Sequence, residues 1–95
     1  VIRPTAGHEG CGIHVPDTPN KDHQAIEWTP ATNAYQRARQ LQWTCQSRRV
    51  VYYLLSAGGR LIIKKVDGRE AFLSPPMLYP DGEELWSALL RGDAA

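Results

Sequence analysis

Two tight-turn signals, Gly58-Gly59 and Asp67-Gly68, constrain this chain more than any other feature of its sequence. A two-residue hairpin loop needs positive φ at its centre, which glycine adopts without steric cost. Val50-Val51-Tyr52-Tyr53-Leu54-Leu55 runs into the first turn, and Leu61-Ile62-Ile63-Lys64-Lys65-Val66 runs out of it. Both runs are rich in the β-branched and aromatic residues that suit a pleated sheet. The second turn leads into Arg69-Glu70-Ala71-Phe72-Leu73, and Ser74-Pro75-Pro76 ends the sheet, because proline cannot donate to a ladder. The expectation is a three-stranded antiparallel meander.

The turns also set a register. A Gly58-Gly59 loop places Ala57 opposite Arg60, Leu55 opposite Ile62 and Tyr53 opposite Lys64. With Asp67-Gly68 as the central pair, Val66 meets Arg69, Lys64 meets Ala71, and Lys65 meets Glu70. One face then carries Tyr53, Leu55, Arg60, Ile62, Lys64, Arg69 and Leu73, and the other Tyr52, Leu54, Leu61, Ile63, Lys65 and Phe72. The second face is expected to take the helices.

Two helices are expected beside the strands. The first starts at Thr29 and Pro30, a capping residue and a good first helical residue, and ends near Arg48. Ala34, Ala38, Leu41 and Cys45 lie on one side of it by their four, three, four spacing. The second starts near Pro80, with Asp81, Glu83 and Glu84 in its first turn, and Gly92 follows as a C-terminal cap. Residues 1–30 hold most of the prolines and no periodicity, so they read as an irregular arm ordered where Ile26 and Trp28 dock. The whole is an α+β chain, with the arm at 1–30 and a single domain at 31–92. Its expected core is Ala38, Leu41, Cys45, Leu54, Leu61, Ile63, Phe72, Leu85, Trp86 and Leu89.

Composition narrows the function classes. Ninety-five residues give room for one domain. No apolar run approaches the roughly 18 residues of a membrane helix, so no membrane partner is expected. Two cysteines suggest a reducing compartment, hence cytoplasmic residence. The formal net charge is only +1, yet the charges are sorted. Between Arg37 and Arg69 lie eight basic residues against the single acid Asp67, while both flanks are acidic.

That sorting supports the leading expectation: a small non-enzymatic nucleic-acid-binding protein, regulatory or accessory, for DNA or RNA. Arg37, Arg39, Arg49, Arg60, Lys64 and Arg69 are the expected phosphate contacts, since neutralised phosphates release counterions. Tyr53 or Trp43 is the stacking candidate. In a variant of this reading, the first helix enters a groove and presents Gln36, Arg39, Gln40 and Trp43. The alternative is a protein-interaction module: an inhibitor or regulatory subunit with an acidic partner, or a homodimer joined through the apolar and basic sheet face.

No cofactor is expected. Cys11, His14, His23 and Cys45 form a weak zinc set, because they lack the two tight ligand pairs of a zinc motif. A Cys11 to Cys45 disulfide would use the same thiols in an oxidising compartment. No phosphate loop, nucleophile elbow or H-E-x-x-H motif is present, so catalysis is not expected.

Overall fold

The computed structural model describes residues 14–16, 18–31 and 37–95. In chain order the elements are β1 (Thr29–Pro30), β2 (Arg39–Trp43), β3 (Val50–Ala57), β4 (Arg60–Asp67), β5 (Glu70–Leu73) and α1 (Tyr79–Arg91). The strands form one five-stranded antiparallel sheet in the order β1-β5-β4-β3-β2. The expected architecture, a three-stranded meander on two helices, is therefore wrong: two more strands flank the meander, and α1 is the single helix among the described residues.

The β3–β4 hairpin matches its sequence signal. Ala57 pairs with Arg60, Leu55 with Ile62 and Tyr53 with Lys64. Gly58 and Gly59 both have positive φ, at 57° and 78°, as a loop with two left-handed central residues requires. The second turn is displaced by one residue. Asp67 pairs with Glu70, so Gly68 and Arg69 form the loop, and Lys65 faces Phe72 instead of Glu70. The reason is local. Centring the turn on Asp67-Gly68 asks for a left-handed Asp67, whereas centring it on Gly68-Arg69 puts positive φ on glycine alone, at 63°. The two registers differ by an even number of residues, so Ala71 and Leu73 keep the face expected of them.

Among the described residues, the first expected helix does not form. Thr29 and Pro30 pair with Leu73 and Phe72 at one edge of the sheet, where a missing N–H costs little. Arg39–Trp43 pairs with β3 at the other edge, with a bulge between Gln40 and Gln42. A stripe of alanines offers a helix little apolar area to bury, and the ladder along β3 wins. Of that stripe, Cys45 is fully buried and Ala38 half-buried, while Leu41 is 39% exposed and leaves the expected core. Ala34 lies outside the described residues.

α1 behaves as expected. Trp86 and Leu89 are buried, Leu85 and Leu90 half-buried, and Gly92 caps the end in the left-handed region at φ 86°. They pack with Tyr52, Leu54, Leu61, Ile63 and Ile26 on one face of the sheet. Gly82 is a close-approach position: a Cβ there would lie 2.5 Å from Leu61 Cβ. The arm joins this layer. Asn20, Gln24 and Ile26 donate backbone hydrogen bonds to Gly92, Asp93 and Ala95, and Trp28 packs against the same cluster.

The opposite face is also covered in part. Leu55, Ile62 and Leu73 are buried there, with Ala31, Ala38, Tyr53 and Ala57 packed on them. Ala31 and Ala38 belong to the connection between β1 and β2, which sit at opposite edges of the sheet.

Candidate nucleic-acid interface

Directly paired residues of an antiparallel ladder project to the same face. Trp43 pairs with Tyr53, Tyr53 with Lys64, and Lys64 with Leu73. These four therefore form one row across β2, β3, β4 and β5, on the face away from α1. The strand spacing puts Trp43 and Lys64 about 10 Å apart, with Tyr53 between them. Trp43 is 46% exposed, and Tyr53 and Lys64 are half-buried. The Tyr53 ring rests on the Leu55 cluster, and the Gln46 amide reaches its hydroxyl at 3.5 Å.

The cations divide between two ends of the sheet. Arg39 pairs with Ser56 and Arg60 with Ala57, so both lie at the end that carries the Gly58-Gly59 turn. Arg37, exposed, precedes β2 at that same end. Arg60 shares the face of Lys64 and lies roughly 13 Å from it along β4. At the other end the basic character is diluted. Arg49 Nε donates to Asp67 Oδ1 at 2.9 Å, a bond that raises the guanidinium pKa further and leaves its charge partly answered. Arg69 sits in the β4–β5 loop beside Glu70.

Lys65 belongs to the helix side. Its Nζ lies 5.4 Å from the centre of the Trp28 ring, and Trp28 in turn meets Tyr52 at a centroid distance of 6.1 Å. Burial pushes the Tyr52 hydroxyl pKa up, with the nearby Asp67 charge adding to the effect. Asp81, Glu83 and Glu84 are exposed on α1. The sheet thus stands between an acidic helix and a face whose paired residues include Arg60 and Lys64 and no acid among the described residues.

The expected groove-reading helix is not formed among the described residues: Arg39, Gln40 and Trp43 are on β2, and Gln36 lies outside the described residues. Of the candidate metal ligands, the described ones, His14, His23 and Cys45, form no metal-binding cluster. His14 Nδ1 is 2.9 Å from Arg48 Nη2, and His23 Nδ1 is 2.8 Å from the Asn20 carbonyl oxygen. Cys45 is disulfide-bonded, so its sulfur is not a free thiolate, and Cys11 lies outside the described residues. No cluster of three or more His, Cys, Asp or Glu side chains suited to a metal occurs among the described residues.

Gln46 is the site neighbour that sequence reasoning missed. Read as helix, it lay far from any strand; its approach to Tyr53 follows from the tight connection between β2 and β3. No family model, curated protein or solved structure matches the chain.

Proposed function

We propose that the sheet face away from α1 binds single-stranded nucleic acid without catalysing a reaction, in a regulatory or accessory role. The observation that carries this reading is the Trp43–Tyr53–Lys64 row. Two neighbouring rings offer flat surfaces on which unpaired bases stack, and a lysine in the same row answers the phosphate charge. Arg60 extends the positive charge of this face toward the Gly58-Gly59 turn and Arg37 stands at the same end, whereas Arg39, paired with Ser56, projects to the helix side. Arg49 and Arg69 contribute less, because acids stand beside them. The acidic α1 on the far side orients the molecule in the field of a polyanion.

Stacking on Trp43 and Tyr53 needs the flat face of a base, which an unpaired strand offers without the cost of unstacking a duplex, so single strands are the favoured ligand. The test compares a labelled single-stranded oligonucleotide with its duplex by fluorescence anisotropy at low salt. The expected result is tighter binding of the single strand, weakened by Arg60→Glu with Lys64→Glu while the far-UV circular dichroism is unchanged. Equal or stronger binding of the duplex, or indifference to the double variant, would contradict this face as the site.

A protein partner at β2 is the second reading, favoured by the exposure of Leu41 and Trp43 on an edge strand. The bulge between Gln40 and Gln42 counts against regular strand addition there. The apolar surface that suggested a homodimer is already covered, since Leu55, Ile62 and Leu73 are buried within one chain. No described helix is long and apolar enough to cross a membrane.

A further inference from the structure

Gln46 stands at the hydroxyl end of the Tyr53 ring. Its Nε2 donates to the Tyr53 hydroxyl at 3.5 Å, and the residue is exposed. The backbone that carries it is held on both sides. Before it, Thr44 is 3% exposed and tied twice to Tyr52: the Thr44 N–H donates to the Tyr52 carbonyl, and the Thr44 hydroxyl oxygen accepts from the Tyr52 N–H, each at 3.0 Å. After it, the Arg48 N–H donates to the Cys45 carbonyl at 3.4 Å, closing a turn with Gln46 and Ser47 at its centre. A side chain rooted in such a turn starts from a defined position. A primary amide has two N–H groups and one carbonyl oxygen. The bond to Tyr53 uses one N–H, which leaves the amide able to donate one hydrogen bond and accept another.

We propose that Gln46 reads the edge of the base stacked on Tyr53 and selects adenine, with the Tyr53 hydroxyl holding the amide in place. This rests on the proposed binding of single strands by the same face. A base lying over the Tyr53 ring projects its edge past the hydroxyl, where the amide meets it. In an unpaired strand both the Watson–Crick and the Hoogsteen edge are exposed. Adenine offers its N6 amine as donor beside an acceptor on either edge, N1 on the first and N7 on the second. Guanine, cytosine and thymine offer a matched donor and acceptor on the Watson–Crick edge only. The Hoogsteen edge of guanine presents two acceptors, O6 and N7, which one amide cannot match. Adenine is therefore the base that satisfies Gln46 whichever edge faces it. Trp43 and Lys64, on either side of Tyr53 in the row, supply stacking and phosphate contacts that are indifferent to the base.

The test sets an oligodeoxynucleotide of adenine against one of equal length in which unsubstituted purine replaces every adenine. The two have the same phosphates and the same fused ring, but the purine lacks the N6 amine common to both edges. In anisotropy titrations at low salt the wild type is expected to bind the adenine strand about tenfold more tightly, the discrimination of one bidentate contact. Gln46→Ala is expected to bind both strands alike, at the wild-type affinity for the purine strand and with an unchanged salt dependence. Tyr53→Phe keeps the ring and removes the hydroxyl, so it is expected to lower the adenine preference and leave the affinity for the purine strand as it was. Equal affinity of the wild type for the two strands, or a preference that survives Gln46→Ala, would overturn the proposal while leaving binding by this face intact. Failure of the wild type to bind either strand would remove the binding face and this proposal together. The first comparison is read on the wild-type chain, so a variant that fails to fold leaves the test intact.

Discussion

Trp43 is the residue on which the proposed site turns, because it combines a large aromatic surface with substantial exposure at the end of an edge strand. Truncating it removes stacking area without touching either buried cluster. Trp43→Ala is expected to weaken binding of a single-stranded oligonucleotide by about 1–3 kcal/mol, the range for loss of one base–aromatic stack, with the thermal midpoint nearly unchanged. Isothermal titration checks the first part and a melting curve the second. Asp93 makes a different prediction. Arg91 and Asn20 both donate to its carboxylate, which holds its pKa below the usual aspartate value. A lowered folded pKa stabilises the fold above the unfolded value near 4, and that contribution is lost as the pH falls through the folded value. The wild type is therefore expected to lose more of its thermal midpoint between pH 6 and pH 3 than Asp93→Asn, in which no carboxylate can be protonated. Equal losses in the two would show that the junction of arm and helix does not titrate.

Elements were legible in the sequence to the degree that local chemistry decides them. The β3–β4 hairpin is decided locally, by two glycines that both take positive φ, and its register was readable residue by residue. α1 was readable too, through its acidic start, its Trp86 and Leu89 stripe and its glycine cap. β2 was not. Arg39-Gln40-Leu41-Gln42-Trp43 is composed mostly of good helix formers, and what makes it a strand is the free edge of β3, a partner that lies beyond it in the chain. The same error hid the site: Trp43 reads as the back of a helix until β2 is placed beside Tyr53. The displaced second turn shows a finer limit, since moving the turn by one residue shifted the pairing by two, which altered the partner of Lys65 while leaving the sheet faces intact. Packing of α1 on the sheet yields its own test at Gly82. Alanine favours a helix intrinsically, yet its methyl group would strike Leu61. Gly82→Ala is expected to destabilise the protein by about 1–3 kcal/mol in chemical denaturation, as overpacking usually does.

At the scale of the molecule, the sheet divides the charge. The helix layer carries Asp81, Glu83 and Glu84, and the other face carries Arg60 and Lys64 beside an aromatic pair. The charge sorting along the sequence anticipated this in outline. Which cations are answered by acids became visible only with the register, which sets Arg49 on Asp67 and leaves Arg60 at the opposite end. An asymmetry of this kind predicts binding dominated by counterion release. The most direct test is the affinity for a single-stranded oligonucleotide across a series of salt concentrations, for the wild type and for Arg60→Glu with Lys64→Glu. Log affinity should fall linearly with log salt, and the double variant should bind more weakly with a slope shallower by about 1.4, two phosphate contacts at roughly 0.7 each. No binding by the wild type at low salt, or the same slope in both proteins, would contradict the account.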